Sequence, residues 1–427
     1  MGIFYDIVFT FLSFFYFPYF VLKRKYHRDF LQRLGIFPEF FFERIKDKQV
    51  IWIHAVSVGE VNASLPLWKS LREKYNHYRI VFSTITTTGN NLCKKLALPE
   101  EIVVYFPLDL SFIVRKVLKK IKPSLVIILE TELWPNFISQ CFKQKIPVIL
   151  VNARISEQAY RRYRWVKFLL EPVLNKITLI LAQSQKDREK FVNLGGDREK
   201  ILVTGNMKFD TLAYIDKKYI DYASLKLKLG LKDRERLLVA GSTHKGEEKI
   251  IVTTYKELIL SYPDLRLLIA PRHPQRTAEI ERLIIKAGFN PIRVSCLEYH
   301  SGEPRLPIFI LDTIGQLNDF YALAEIVFVG GSLVKRGGHN ILEPATFSKP
   351  IVSGKYFFNF SDIFKIFLEN RAILICRDKA GLKQFLLDLL DNSELRKNMG
   401  MLAKGLILRH KGAVERNLSL LAKYLDS

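Results

Sequence analysis

"VIWIHAVSVGEVNASLPLWKSLREKY", residues 50–75, decides the fold. Its first part, "VIWIHAV" (50–56), is a short unbroken apolar run, the pattern of a strand buried on both faces. A turn of small residues follows, and Glu60 opens a helical stretch over 60–75. The same unit recurs along the chain. "RIVFSTI" (79–85), "LVIILE" (125–130), "PVILVNA" (147–153), "LILAQS" (179–184) and "ILVTGN" (201–206) read as strands, and "SQKDREKFVNLG" (184–195) as another intervening helix. Strands alternating with helices predict a parallel sheet covered on both faces. After a charged stretch at 211–235 a second series begins: "RLLVAGST" (236–243), "LRLLIAP" (265–271), "PIFILD" (307–312), "EIVFVGG" (325–331), "PIVSG" (350–354) and "AILICR" (372–377). The expected class is α/β, with two doubly wound Rossmann-like domains joined near residue 215. In such sheets ligands gather at the carboxyl ends of the strands, and a cleft between two such domains is a natural substrate site.

Length agrees with two cores, since 427 residues exceed what one usually supports. Apolar residues make up 48% of the chain, which excludes the disordered class. Cys93, Cys141, Cys296 and Cys376 are far apart in sequence, which argues against a zinc site or a disulfide framework. The formal charge of +23 calls for an anionic partner. Zinc-finger spacing, an RNA-binding aromatic signature and a basic low-complexity tail are all missing, so nucleic acid is the poorest fit and is not expected as a partner.

"IFYDIVFTFLSFFYFPYFVL", Ile3 to Leu22, is an apolar run of about the 20 residues needed to cross a bilayer core. "KRKYHR" (23–28) follows it, the reverse of a signal peptide, whose basic residues come first. Basic residues after the span predict a cytoplasmic body attached to a membrane by an anchor at 1–25. Asp6 and Pro18 interrupt the run, so an interfacial anchor stands beside a full span, and a buried first helix is the plain alternative. "YRRYRWVKFLL" (160–170) mixes Arg161, Arg162, Arg164 and Lys167 with Tyr163 and Trp165. It reads as an interfacial or phosphate-gripping helix, or as a solvated charged face.

Several strand ends carry chemistry. In "GGSLVKRGGHNILEPATFSKP" (330–350) glycines lead into a helix expected to start near Asn340, with Glu343 close behind. A helix start favours phosphate and hydroxyl groups, and Glu343 suits a ribose diol; the alternative is a capped turn with Asn340 as N-cap and Glu343 completing a capping box. Neither GxGxxG nor GxxxxGK[ST] is present, which excludes the usual dinucleotide and P-loop patterns. "APRHPQR" (270–276) puts Arg272 and His273 at a strand end as an anion-facing pair. "LDTIGQLNDFY" (311–321) and "GSTHKGEE" (241–248) are two more such turns, and together the four favour a nucleotide site. In the first half, Glu60 either complements a helix dipole or acts as a general base on a sugar hydroxyl. "ILETELWPN" (128–136) brings Glu130 and Glu132 to a rim, as sugar-binding or charge-stabilising acids or as caps, and "TGNMKFD" (204–210) places Lys208 where an ammonium would neutralise a leaving phosphate.

Taken together, "HAVSVGE", "ETELWPN", "VNARIS", "TGNMKFD", "GSTHKGEE", "PRHP" and "VGGSLVKRGGHNILEPA", in this order, resemble the bacterial 3-deoxy-D-manno-octulosonic acid (Kdo) transferases of lipopolysaccharide synthesis. The resemblance implies a two-domain GT-B glycosyltransferase with an N-terminal membrane anchor. It implies CMP-Kdo as donor, bound by the C-terminal domain, the lipid A precursor (lipid IVA) as acceptor, inner-membrane lipids as a further partner, and no metal or cofactor. Glu60 matches the family's catalytic base, and Glu130 and Lys208 match positions that stabilise the transition state. Arg272 and His273, the turn Ile314–Gly315–Gln316, and the segment Gly338, His339, Asn340, Ile341, Leu342 and Glu343 match the CMP-binding parts. That turn reads Met-Gly-Glu in much of the family, so Gln316 departs from the pattern. The implied domains are an anchor (1–25), an acceptor-binding domain (26–215), a donor-binding domain (216–400) and a C-terminal helix (401–427) crossing back to the acceptor domain. A transferase of the same fold using another nucleotide sugar, such as a UDP-sugar, and a non-enzymatic basic lipid- or nucleic-acid-binding protein are the alternatives.

Overall fold

The computed structural model describes residues 5–7, 10–11, 29–210, 221–299 and 307–426. Most of the expected anchor, the basic run at 23–28 and the expected join near 215 lie outside the described residues. Among the described residues no helix is long and apolar enough to cross a membrane.

The chain divides into two compact units, one holding the residues up to Ile215 and again from His410, the other Asp216–Arg409. Each is built on a seven-stranded sheet. In the first unit the strands are β1 (Val50–His54), β2 (Arg79–Thr84), β3 (Ile102–Tyr105), β4 (Leu125–Leu129), β5 (Val148–Ala153), β6 (Leu179–Ala182) and β7 (Ile201–Val203), in the order β3-β2-β1-β4-β5-β6-β7. All pairings are parallel. The chain therefore winds outward from β1 in one direction and, from β4, in the other, which opens a crevice between the carboxyl ends of β1 and β4. The central strands β1, β4 and β5 are buried along their whole length, as a sheet covered on both faces requires. One core packs Trp52, Phe106 and Phe137 against one face, and another packs Trp68, Phe82 and Leu71 against the other.

The second unit repeats the plan with β8 (Arg236–Thr243), β9 (Leu265–Pro271), β10 (Asn290–Arg293), β11 (Pro307–Ile310), β12 (Ile326–Val329), β13 (Ile351–Gly354) and β14 (Leu374–Cys376). Their order is β10-β11-β9-β8-β12-β13-β14, so the corresponding crevice lies between β8 and β12. Edge strands β3 and β10 had no counterpart among the expected strands. β10, "NPIR", buries Ile292 but exposes Asn290, so it lacks the apolar run by which its neighbours are recognised.

A domain boundary at 400 is corrected by the structure. Residue 400 lies inside the continuous helix Ser393–His410, and the second unit ends at Arg409. The terminal helix Ala413–Ala422 belongs to the first unit. There the buried Asp210 carboxylate accepts the N–H groups of Gly412 (2.6 Å) and Val414 (2.7 Å), and the Tyr78 hydroxyl donates to Leu425 O (2.9 Å).

Candidate active site

At the β1–β4 crevice three acidic side chains from two loops come together. The helix Val58–Lys74 begins with Ser57 as N-cap, whose side chain makes no capping bond. Glu60 takes that part: its Oε2 accepts Val56 N–H at 2.8 Å and its Oε1 the Ser57 hydroxyl at 3.1 Å. These two bonds hold the carboxylate in the helix's first turn, at the rim of the sheet. Burial pushes its pKa up to about 7, outweighing the Val56 N–H that favours the charged form, and the Glu130 charge adds to the rise. Glu132 is pushed up to about 7 by burial, with the charges of Glu60 and Glu130 behind it. A carboxyl poised near neutrality suits proton abstraction, since both of its forms are populated at working pH.

Glu130 ends β4 with a positive φ of 55°, a conformation a non-glycine residue rarely adopts. Its Oε1 accepts Lys208 Nζ at 3.0 Å and its Oε2 lies 3.2 Å from Arg154 Nε. Lys208 follows β7 in a single 3₁₀ turn capped by Asn206, whose side chain accepts the Lys208 N–H. Arg154 follows β5, where Asn152, also at positive φ (55°), accepts the Met207 N–H through its side chain. The Lys208 ammonium, expected to neutralise a leaving phosphate, is engaged with Glu130 in the structure. Arg154 was quoted in a motif but given no task. Its signal was a basic residue directly after a buried strand, at the same rim as Glu130.

In the second unit the rims of β8, β9 and β12 converge. The buried Glu247 carboxylate organises them: it accepts the N–H groups of His244 (2.9 Å), Gly331 (2.7 Å), Ser332 (2.9 Å) and Leu333 (2.9 Å). Sequence reasoning overlooked Glu247 because three of its four partners lie more than 80 residues away. Gly331 has φ +70°, and a Cβ there would lie 2.8 Å from the His339 ring, so only glycine lets the loop pass beneath it. His339 and His244 face each other, Nε2 to Nε2 at 2.9 Å, with rings parallel and centroids 5.1 Å apart. His273 meets His244 edge-on at 5.8 Å. Arg272 is exposed at the end of β9, its N–H donating to Thr243 O.

The segment 338–343 departs from expectation in one respect. The helix there is Leu342–Thr346, a single turn preceded by Ile341 as N-cap, and it is too short to develop an appreciable dipole. Asn340 does stabilise the turn, accepting Leu342 N–H at 3.1 Å and donating to Glu343 Oε1 at 3.1 Å. Burial holds the Glu343 carboxyl above its usual range. Gly338, at φ +72°, donates its N–H to Gly331 O and closes the loop. The turn Ile314–Gly315–Gln316 projects into solvent: Ile314 is 86% exposed, Gly315 (φ +93°) has nothing near it, and Gln316 accepts the Thr313 hydroxyl. Among the described residues no hydrogen bond or ring contact joins this turn to the histidine cluster. Among the described residues no group of acidic, histidine or cysteine side chains has the arrangement of a metal site.

Residues 28–211 match the family model described as 3-deoxy-D-manno-octulosonic-acid transferase (kdotransferase). Over 407 residues the chain is 38% identical to the 3-deoxy-D-manno-octulosonic acid transferase of Haemophilus influenzae, covering 95% of this chain and 93% of that one. The chain belongs to this family. To the transferase of Chlamydophila psittaci it is 31% identical over 415 residues, 96% of this chain and 93% of the relative. Like them, this transferase is a glycosyltransferase, and its two parallel sheets form a GT-B-like fold. A putative UDP-N-acetylglucosamine 2-epimerase from Listeria monocytogenes, 15% identical with a TM-score of 0.60 over 89% of this chain and 98% of that one, shares the fold alone.

Proposed function

We propose that this transferase moves Kdo from CMP-Kdo to the lipid A precursor, lipid IVA, with inversion and release of CMP. Family membership supports the reaction, and the observation that carries the mechanism is the half-buried Glu60 carboxyl poised near neutral pH at the β1–β4 crevice. A direct displacement at the anomeric carbon needs one base on the attacking hydroxyl, and Glu60 fills that role. As the acceptor oxygen bonds to the sugar, its proton passes to Glu60, and the electron pair of the breaking bond passes to the phosphate. Glu130, with Lys208 and Arg154 on its two oxygens, orders a charged rim beside the base and stabilises the charge that develops there. The second unit holds the donor through Arg272, His273, His339, Asn340 and Glu343, with the backbone of Gly338 and of Ile341–Leu342 shaping that loop; the turn Ile314–Gln316 supplies further donor contacts. Incubation with lipid IVA and a CMP-Kdo supply, followed by mass spectrometry, tests the reading: each turnover adds one Kdo residue to the lipid and frees one CMP. An unchanged lipid with CMP-Kdo intact would remove it.

The acceptor's chemistry places the work at a membrane, and a surface of the first unit fits one. The helices Glu157–Trp165 and Lys167–Leu174 expose Trp165 (86%) and Phe168 (71%) beside the exposed Arg161, Arg162, Arg164 and Lys167. Aromatic rings flanked by cations suit the headgroup layer of an anionic bilayer. At the N-terminus Asp6 accepts the Ser111 N–H (3.0 Å) and the Asn136 side-chain amide (2.6 Å), tying the start of the apolar segment to the same unit. These features support attachment to the cytoplasmic face of the inner membrane through the N-terminal segment, with the aromatic-basic helices as a second contact.

A further inference from the structure

We propose that His244 and His339 act as one proton-accepting pair that becomes charged when a nucleotide phosphate binds, so that the second unit takes up a proton with its donor. The proposal rests on the donor-site reading above.

The geometry restricts where protons can sit. Two imidazole nitrogens 2.9 Å apart hold one proton between them, because two would repel. The ring that accepts at Nε2 must, when neutral, carry its own proton on Nδ1. The ring that donates from Nε2 has a bare Nδ1. The neutral pair thus has a single vacant proton position, and filling it makes an imidazolium without breaking the contact. The contact itself is built in. Glu247 fixes His244 N–H and the loop Gly331–Leu333 at once, and Gly331 leaves room for the His339 ring.

The surroundings keep the free pair neutral. Burial lowers both pKa values to about 4, with Arg272 and His273 facing both rings and Arg276 and Arg336 facing His244. The nearby carboxylates are already committed. Glu247 is held by backbone N–H groups, Glu248 and Glu279 by Arg276, and Glu343 by Asn340. Arg272 and Arg336 are left as a cationic rim beside the pair, and with His273 they are exposed to a ligand. A phosphate on that rim reverses the balance: it cancels the surrounding charge and favours the imidazolium. The proton comes from solvent and returns to it when the nucleotide leaves.

Calorimetric titration of CMP into the full-length protein at pH 7.5, in buffers of differing ionisation enthalpy, measures the proton directly. A phosphate monoester has its second pKa at about 6, so free CMP is mostly dianionic there, and a cationic site would make it lose a proton rather than gain one. Uptake therefore reports on the protein, and at least half a proton per CMP is expected. His244→Gln and His339→Gln should each abolish most of it and weaken CMP at least about twofold, as linkage to uptake of half a proton implies at a fixed pH. Nitrogen-15 histidine spectra of the wild-type protein give the same answer without a variant: CMP addition should move the pair toward the shifts of one imidazolium beside one neutral ring. CMP binding with no proton uptake, or uptake undiminished in both folded variants, overturns the proposal and leaves the donor site standing. Absence of CMP binding removes the donor-site reading and the proposal together.

Discussion

Lys208 Nζ donates to Glu130 Oε1 at 3.0 Å, joining the turn after β7 to the end of β4 across 78 residues of chain. Both side chains are largely shielded, at 17% and 14% exposure, so neither charge is easily satisfied by water alone. Removing one partner of such a pair strands the other and costs about 3–5 kcal/mol where burial is complete, less at a rim. Lys208→Met and Glu130→Gln should each lower kcat at least 100-fold, while the double variant loses far less than the product of the two. Additive losses in a double-mutant cycle would show that the pair does not act as a unit.

Glu60→Ala removes the proposed base together with its bonds to Val56 N–H and the Ser57 hydroxyl. Its kcat should fall by about 10²–10⁴, the usual contribution of a positioned general base. CMP should protect the variant against heat as well as it protects the parent, because the residues proposed to hold the nucleotide are untouched. Turnover within tenfold of the parent would take Glu60 out of the mechanism.

The pH profile carries a sign. Glu60 must be ionised to accept a proton, and burial raises its pKa to about 7. Activity should rise with pH and level off above about 7, with a macroscopic constant belonging to Glu60 and Glu132 together, since each charge opposes the other. Glu132→Gln removes one negative charge, which eases Glu60 ionisation and moves the acid limb to lower pH. An unmoved limb would separate Glu132 from the base.

Asp210 ties the terminal segment to the first unit through Gly412 N–H and Val414 N–H. Bonds to a charged acceptor contribute about 1.5–3 kcal/mol each, and some of that is recovered by water. Asp210→Ala should cost about 2–4 kcal/mol in urea unfolding and expose the last helix to early proteolysis. A midpoint equal to the parent's would mean the segment is held by its apolar face alone.

Membrane binding should depend on both the N-terminal segment and the aromatic-basic helices. Trp165→Ala with Phe168→Ala is expected to weaken binding to vesicles rich in anionic lipid about tenfold, as lost burial of two aromatic rings implies. Removing residues 1–25 should release the protein from membranes, and full retention by the truncated chain would leave the exposed helices as the main contact.

Much of the fold was legible. Continuous apolar runs separated by amphipathic stretches announce parallel strands, because burial on both faces removes any alternation. Edge strands were the exception. β3 is four apolar residues, too few for periodicity to distinguish from a buried helix segment, and β10 has one neighbour and exposes part of its length. The helix expected to start near Asn340 is the single turn Leu342–Thr346. "NILEPA" has the composition of a helix start, but only packing shows how far the helix continues.

The sequence by itself determined the two-sheet plan, the family, and the strand ends that carry Glu60, Glu130, Lys208, Arg272 and His339. Which partners those groups meet was decided by the tertiary structure alone. Glu130 is neutralised by Lys208 and Arg154, Glu60 is desolvated beside two other acids, and His339 finds His244 as its partner, 95 residues away. A proton's affinity for a side chain depends on burial and on charges a few ångströms off. Those neighbours are set by how loops converge at a sheet's edge, and order along the chain does not record them.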